Sequence, residues 1–160
     1  MNGFTVMETL VVAAVAMVLA LLAWPSFAAL VADHRRVVTV NALVASLQHA
    51  RHAAAMRNRV VSVCPSVAGI QCGDDWRLGW VAFTEPAGWR HGDDIPAAAI
   101  LHRGDSAAGV SIHANRTRFR FRPHGRSTNG TLVVCPARAI VVAPSGRVRR
   151  GESRPESCPP

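Results

Sequence analysis

The chain has 160 residues and a formal net charge of +8, and all 18 of its basic residues are arginine. With a long apolar N-terminal stretch set aside, the remainder suits one small domain with a modest core of its own. No His-Glu-x-x-His, Gly-x-Ser-x-Gly or P-loop pattern occurs, so the sequence offers no foothold for metalloprotease, serine-hydrolase or nucleoside-triphosphate chemistry; it reads as a non-enzyme without cofactor or metal.

The first residues, Met1-Asn2-Gly3-Phe4-Thr5-Val6-Met7-Glu8-Thr9-Leu10, lead into a stretch with no charged side chain from Thr9 to Ala32. About 20 apolar residues suffice to span a bilayer, and an acidic residue at the centre of a span costs roughly 2.5–3.5 kcal/mol. Glu8 stands near the end, where the cost is smaller, but it still requires a partner. A secretory signal peptide would put a basic residue at the start and a small-residue cleavage site after the apolar run. Ser26-Phe27-Ala28 could supply the site, but no Arg or Lys precedes Arg35. A plain membrane anchor leaves Glu8 unexplained. The run Gly3-Phe4-Thr5-Val6-Met7-Glu8-Thr9-Leu10-Val11-Val12 closely resembles the class III leader of type IV pilins and pseudopilins, and Pro25 matches the helix-kinking proline of pilins. That resemblance implies cleavage by a prepilin peptidase between Gly3 and Phe4, N-methylation of Phe4, and a Glu8 carboxylate that pairs with the N-terminal amine of a neighbouring subunit. It further implies a single-pass inner-membrane protein with a periplasmic domain, which later joins other pilin subunits in an extracellular filament.

Beyond the apolar stretch, Val37, Val40, Leu43, Val44, Leu47 and Ala50 recur at three- and four-residue steps, while Arg35, Arg36, Gln48, Arg51 and His52 fall elsewhere around the helix. A helix from about Phe4 to about Asn58 follows, bent near Pro25, which lacks an amide donor. Short strands are expected at 60–64, 78–83, 98–101, 110–113, 117–122, 130–135 and 139–143, separated by Gly, Pro, Asn and Asp. The tail 151–160 reads as irregular, restrained by Cys158. The expected fold is α+β and type IV pilin-like: a long N-terminal helix, half membrane-embedded and half amphipathic, packed on a C-terminal β-sandwich or curved antiparallel sheet. Its parts are a leader (1–3), an assembly helix (4–32), an amphipathic continuation (33–59) and a β-rich domain (60–160).

Cys64, Cys72, Cys135 and Cys158 are an even set suited to an oxidising compartment. Three pairings are possible. Proximity favours Cys64–Cys72, which leaves Cys135–Cys158 to tie down the tail, with loop-closure contributions of about 2.5 and about 3.5 kcal/mol. Zinc is disfavoured, because no C-x-x-C spacing is present.

Charge placement is more informative than its total. Between Ser106 and Gly151 there is no Asp or Glu, yet nine arginines fall there. One-sided charge of this kind marks an anionic partner or a strongly solvated face. Within Ser145-Gly146-Arg147-Val148-Arg149-Arg150-Gly151, three guanidinium groups lie in four residues, and the planar guanidinium fork suits bidentate phosphate contact. Cys64-Pro65-Ser66, Cys72, Trp76, Gly79-Trp80-Val81-Ala82-Phe83, and Gly146-Arg147-Val148-Arg149-Arg150 followed by Cys158 resemble the FimT branch of the GspH/FimT minor pilins. Members of that branch act in DNA uptake during natural transformation. The resemblance implies DNA contacts at Arg147, Arg149 and Arg150, with Arg154 a further position flanked by Glu152 and Glu156.

A second basic segment is Arg116-Thr117-Arg118-Phe119-Arg120-Phe121-Arg122. In a strand its four arginines would share one face. They form either a basic platform that extends the tail's phosphate site or a charged strand face that resists aggregation. Trp76, Trp80, Phe83 and Trp89 could stack on bases but fit core packing better. His49 and His52 lack a third ligand and read as surface histidines. No recognition helix is evident, so DNA binding would be largely indifferent to sequence. The competing reading is a structural pseudopilin of a type IV pilus or type II secretion system, with its arginines solvated.

Overall fold

The computed structural model describes residues 6–153 and Cys158, and within α1 it leaves undescribed the side chains of positions 21–23 and 25. Gly3, Phe4 and Arg154 lie outside the described residues. The chain divides into two compact units between His34 and Arg35. One helix, α1 (Val6–Arg57), contributes to both.

In the first unit, Val11, Val12, Val15, Val18, Leu19, Trp24, Phe27 and Leu30 are all exposed. An apolar helix surface of this extent requires cover from lipid or from other helices. Among the described residues, no helix is long and apolar enough to cross a membrane. Thr9 closes the first turn by donating its hydroxyl to the Val6 carbonyl at 2.8 Å.

Among the described residues, the second unit holds the rest of α1 and eight strands: β1 (Val61–Pro65), β2 (Trp80–Thr84), β3 (Ile100–Gly104), β4 (Ile112–Ala114), β5 (Phe119–Phe121), β6 (Gly130–Val134), β7 (Arg138–Val142) and β8 (Val148–Glu152). They form two four-stranded sheets, ordered β3-β2-β1-β5 and β4-β6-β7-β8, antiparallel throughout. The architecture is the expected α+β one, with a long helix on antiparallel sheets. One strand more than expected is present, because the arginine segment itself forms β8. Several boundaries also move. Leu78 belongs to a 3-10 turn, Trp76–Leu78, and β2 begins only after Gly79, whose φ of 106° ends that turn. Ala98 and Ala99 sit in a second such turn, Ala97–Ala99, so β3 starts at Ile100. The helix stops at Arg57 because Asn58 takes a left-handed φ of 50°. Arg59 N–H then donates to the Ala54 carbonyl and Asn58 N–H to the Ala55 carbonyl, the paired bonds of a Schellman cap.

Periodicity explains the core. Val40, Leu43, Val44, Leu47, Ala50, Ala53 and Ala54 form one buried stripe of α1, against which pack Val61, Val63, Phe119 and Phe121 of one sheet and Leu132, Val134, Ile140 and Val142 of the other. The alanines at the C-terminal end of the stripe leave room for the sheets to approach closely. Two buried hydroxyls fix the helix against its cover. Ser46 donates to the Ala42 carbonyl and accepts from Trp80 Nε1, both at 2.9 Å. Thr39 donates to the Arg35 carbonyl at 3.0 Å and accepts from Ala107 N–H at 3.1 Å.

Strands β1 and β2 are buried on both faces, which is why VSVCP and WVAFT read as nearly continuous apolar runs. Their outer side carries a second cluster of Cys64, Cys72, Val81, Phe83 and Ile95, with Trp89 against it. The disulfides join Cys64 to Cys72 and Cys135 to Cys158. The first closes a short loop over this outer cluster. The second ties the segment after β8 back to the β6–β7 turn.

Replacing Ser46 with alanine should leave the Trp80 indole N–H buried without an acceptor, at a cost of about 1–3 kcal/mol. Urea unfolding of the variant should show a lower midpoint with an unchanged denaturant slope. An unchanged midpoint would mean that this bond contributes nothing to the helix–sheet contact.

Candidate nucleic-acid interface

The β7–β8 hairpin is encoded by Ala143-Pro144-Ser145-Gly146-Arg147. Gly146 N–H donates to the Ala143 carbonyl and Ala143 N–H to the Arg147 carbonyl, each at 2.9 Å. Proline presets the first turn residue, and Gly146 adopts a φ of 74°; this is a three-residue loop closed by a glycine bulge. A Cβ on Gly146 would lie 2.7 Å from the Gly125 carbonyl oxygen and 3.2 Å from Arg51 Nε. Glycine is therefore required here twice over, by backbone conformation and by close approach.

This turn sets the register of β8. Val148 pairs with Val142, Arg149 with Val141, and Arg150 with Ile140. Val148 packs on the core, so the two-residue period of a strand places Arg150 on the helix-facing side of the sheet and Arg149 on the outer side. Arg147, Arg149 and Arg150 are all exposed. Among the described residues, none of the three makes a side-chain hydrogen bond or ion pair. Among the described residues β8 also stands at the sheet edge, so alternate backbone N–H groups face outward without a ladder partner there.

The other arginine segment is built differently. Only Phe119–Phe121 forms a strand, with both phenylalanines buried. Glu85, reaching over from the end of β2, accepts from Arg120 Nε at 3.1 Å and lies 3.4 Å from an Arg118 terminal nitrogen. The Ser62 hydroxyl donates to the same carboxylate at 2.6 Å. Arg118 additionally lies over the Trp89 ring, 5.1 Å from its centroid. Burial pushes the Arg118 guanidinium below its ordinary pKa, with Arg120 adding to the effect and Glu85 opposing it. Arg116 Nε donates to the Asn129 carbonyl at 3.2 Å. Arg122 is exposed and, with Arg120, Arg126, Ser127, Thr128 and Pro144, lines a cleft of about 330 Å³. The four even-numbered arginines are thus not a free basic row, because two of them serve to hold Glu85.

The aromatic residues are engaged elsewhere. Trp76 and Trp80 are buried, Trp76 Nε1 donates to the Arg116 carbonyl at 3.1 Å, and Trp89 meets Phe83 edge-on at 4.8 Å. Apart from Glu152, which ends β8 opposite Arg138, the acidic residues described lie on other elements. Asp75, for example, pairs with Arg77, whose guanidinium holds the carboxyl below the usual range. Glu8 lies in the first turn of α1, in the other unit. Among the described residues, no group of three His, Cys, Asp or Glu side chains could hold a metal.

A family model described as type II transport protein GspH matches residues 39–146. The chain belongs to the GspH family. Within this pilin and pseudopilin class, the matched region includes the buried helix stripe, both sheets as far as β7, and the Gly146 turn. It ends one residue short of Arg147. No curated protein matches the chain. Two crystal structures of the type IV minor pilin FimU from Pseudomonas aeruginosa PAO1 share its fold. One has a TM-score of 0.55 at 19% identity, covering 71% of this chain and 90% of that one. The other, in a second crystal form, has a TM-score of 0.57 at 19% identity, covering 73% and 88%. At that identity the likeness is one of fold alone.

Proposed function

We propose that this GspH-family chain is a minor pilin of a type IV pilus that binds extracellular DNA through its phosphate backbone and supports DNA uptake in natural transformation. The observation that carries this reading is the edge strand β8 with the turn residue before it: Arg147, Arg149 and Arg150 are three exposed guanidinium groups within four residues, unpaired among the described residues. Arg149 and Arg150 leave the strand on opposite faces, so a phosphate backbone would run along the open edge rather than across either sheet face. Guanidinium forks would grip phosphate oxygens from both sides. Arg154 is a further proposed contact on the strength of its place in the sequence. Such contacts position DNA without reading bases, which makes binding largely independent of sequence.

In this account the leader 1–3 is removed after Gly3 and Phe4 becomes the methylated N-terminus. Residues 4–32 anchor the protein in the inner membrane and then line the filament core, where Glu8 meets a neighbour's amine. The amphipathic helix 33–59 and the domain 60–160 remain outside the membrane, and filament retraction draws bound DNA inward. The exposed apolar side chains of residues 6–34 support a role in lipid or helix packing. N-terminal sequencing of the mature protein should begin at methylated Phe4; a start at Ala29 would indicate a signal peptide instead.

A second reading has one specific observation in its favour. The family match stops before β8, so Arg147, Arg149 and Arg150 lie outside the matched residues. A structural subunit of a secretion pseudopilus would then carry them as solvated surface. Titration of a labelled duplex with the full chain in detergent micelles separates the two. Three to four phosphate contacts predict that log K falls with log salt at a slope of about −3. Arg147, Arg149 and Arg150 changed together to glutamine should abolish most of that dependence. No salt-dependent binding by the wild type, or none lost in the triple variant, would leave the structural reading.

A further inference from the structure

The end of α1, the 122–127 loop and the β7–β8 turn meet around a groove of about 500 Å³, lined by Gln48, Arg51, His52, Ala55, Gly125, Gly146, Arg147 and Val148. We propose that this groove is a second phosphate subsite, in which Arg51 and His52 of the helix join Arg147 to hold a backbone phosphate of the same DNA that lies along β8. The inference rests on the DNA-binding reading and adds to it two residues distant in sequence from the arginine segment.

Helix geometry brings the ligands together. Gln48, Arg51, His52 and Ala55 are spaced i, i+3, i+4 and i+7, so they share one face, and all four are exposed. The Arg51 side chain lies against Gly146, its Nε 3.2 Å from where a Cβ would stand. That contact places it beside the residue preceding Arg147. Gly125 and Gly146 have no side chains to fill the groove, and the tight turns at both (φ of 79° and 74°) favour glycine. The lining therefore offers two guanidinium forks, an imidazole and a carboxamide N–H, with no carboxylate among them. Among the described residues, neither Arg51 nor His52 makes a side-chain hydrogen bond or ion pair. A tetrahedral phosphodiester, whose oxygens accept from several directions, fits that donor set better than a planar carboxylate does. Because Arg147 belongs both to the groove and to the head of β8, a strand seated on the edge continues into the groove without a break.

The test uses the full chain in detergent micelles with a labelled duplex over a salt series. Arg51→Gln should weaken binding several-fold and flatten the log–log salt slope by about 1. Arg51→Lys, which keeps the charge, should restore most of that slope. Gln48→Glu, which puts a carboxylate into the groove, should also weaken binding. Arg57→Gln, an equal charge loss on the same helix outside this groove, should change the slope little; thermal melts check that each variant is folded. If the wild type binds and the β8 arginines matter, yet Arg51→Gln behaves like Arg57→Gln, the groove subsite is refuted and the edge-strand reading stands. Absence of salt-dependent binding in the wild type would overturn both.

Discussion

From Thr39 to Ala54 one stripe of α1 is apolar or small, and both sheets close on it from their inner faces. The sheets share a single core because that stripe is what each must bury against. Its polar members are spent in the same contact, since Ser46 holds the Trp80 indole and Thr39 the backbone at Ala107. Every other position in the second unit follows from this. Once the inner face of β7 is fixed by Ile140 and Val142, the pleat determines which side of β8 each arginine occupies.

Charge in this molecule is therefore sorted by what the fold needs before it is available for a partner. Arg118 and Arg120 come from the longer of the two basic runs in the sequence, yet they clamp Glu85, and Arg118 also covers Trp89 on the outer side of the first sheet. Their contribution is to pin the segment that follows β2. The arginines of β8 have no such duty. An edge strand that carries a charge on each face is also protected from pairing with another chain, because approach brings like charges together. The same feature that keeps the edge from aggregating leaves it open to a polyanion.

The elements legible in the sequence were those with strong periodicity or special backbone chemistry. The helix stripe could be read from three- and four-residue steps, and the helix end from the polar break at Asn58. The near pair Cys64 and Cys72 could be read from spacing. β8 was not legible as a strand: Val148 is its one apolar core contact, and arginine next to glycine and glutamate carries no alternating pattern. Its pairing comes from the Pro-Ser-Gly turn, a hairpin signal that stood in the sequence at 144–146. The role of Glu85 was hidden for a different reason. It lies more than thirty residues from the arginines it holds, and only the pairing of β1 with both β2 and β5 brings them together. The same holds for Arg51 and Arg147, which line one groove only because the helix end and a hairpin turn pack side by side.

Hydrogen–deuterium exchange of the full chain, with and without a short DNA duplex at low salt, tests the central claim most directly. The account predicts slowed exchange in β8 and in the turn before it, with the β2–β3 segment around Trp89 unchanged. Protection centred on that segment and β5, or none anywhere in the second unit, would contradict it.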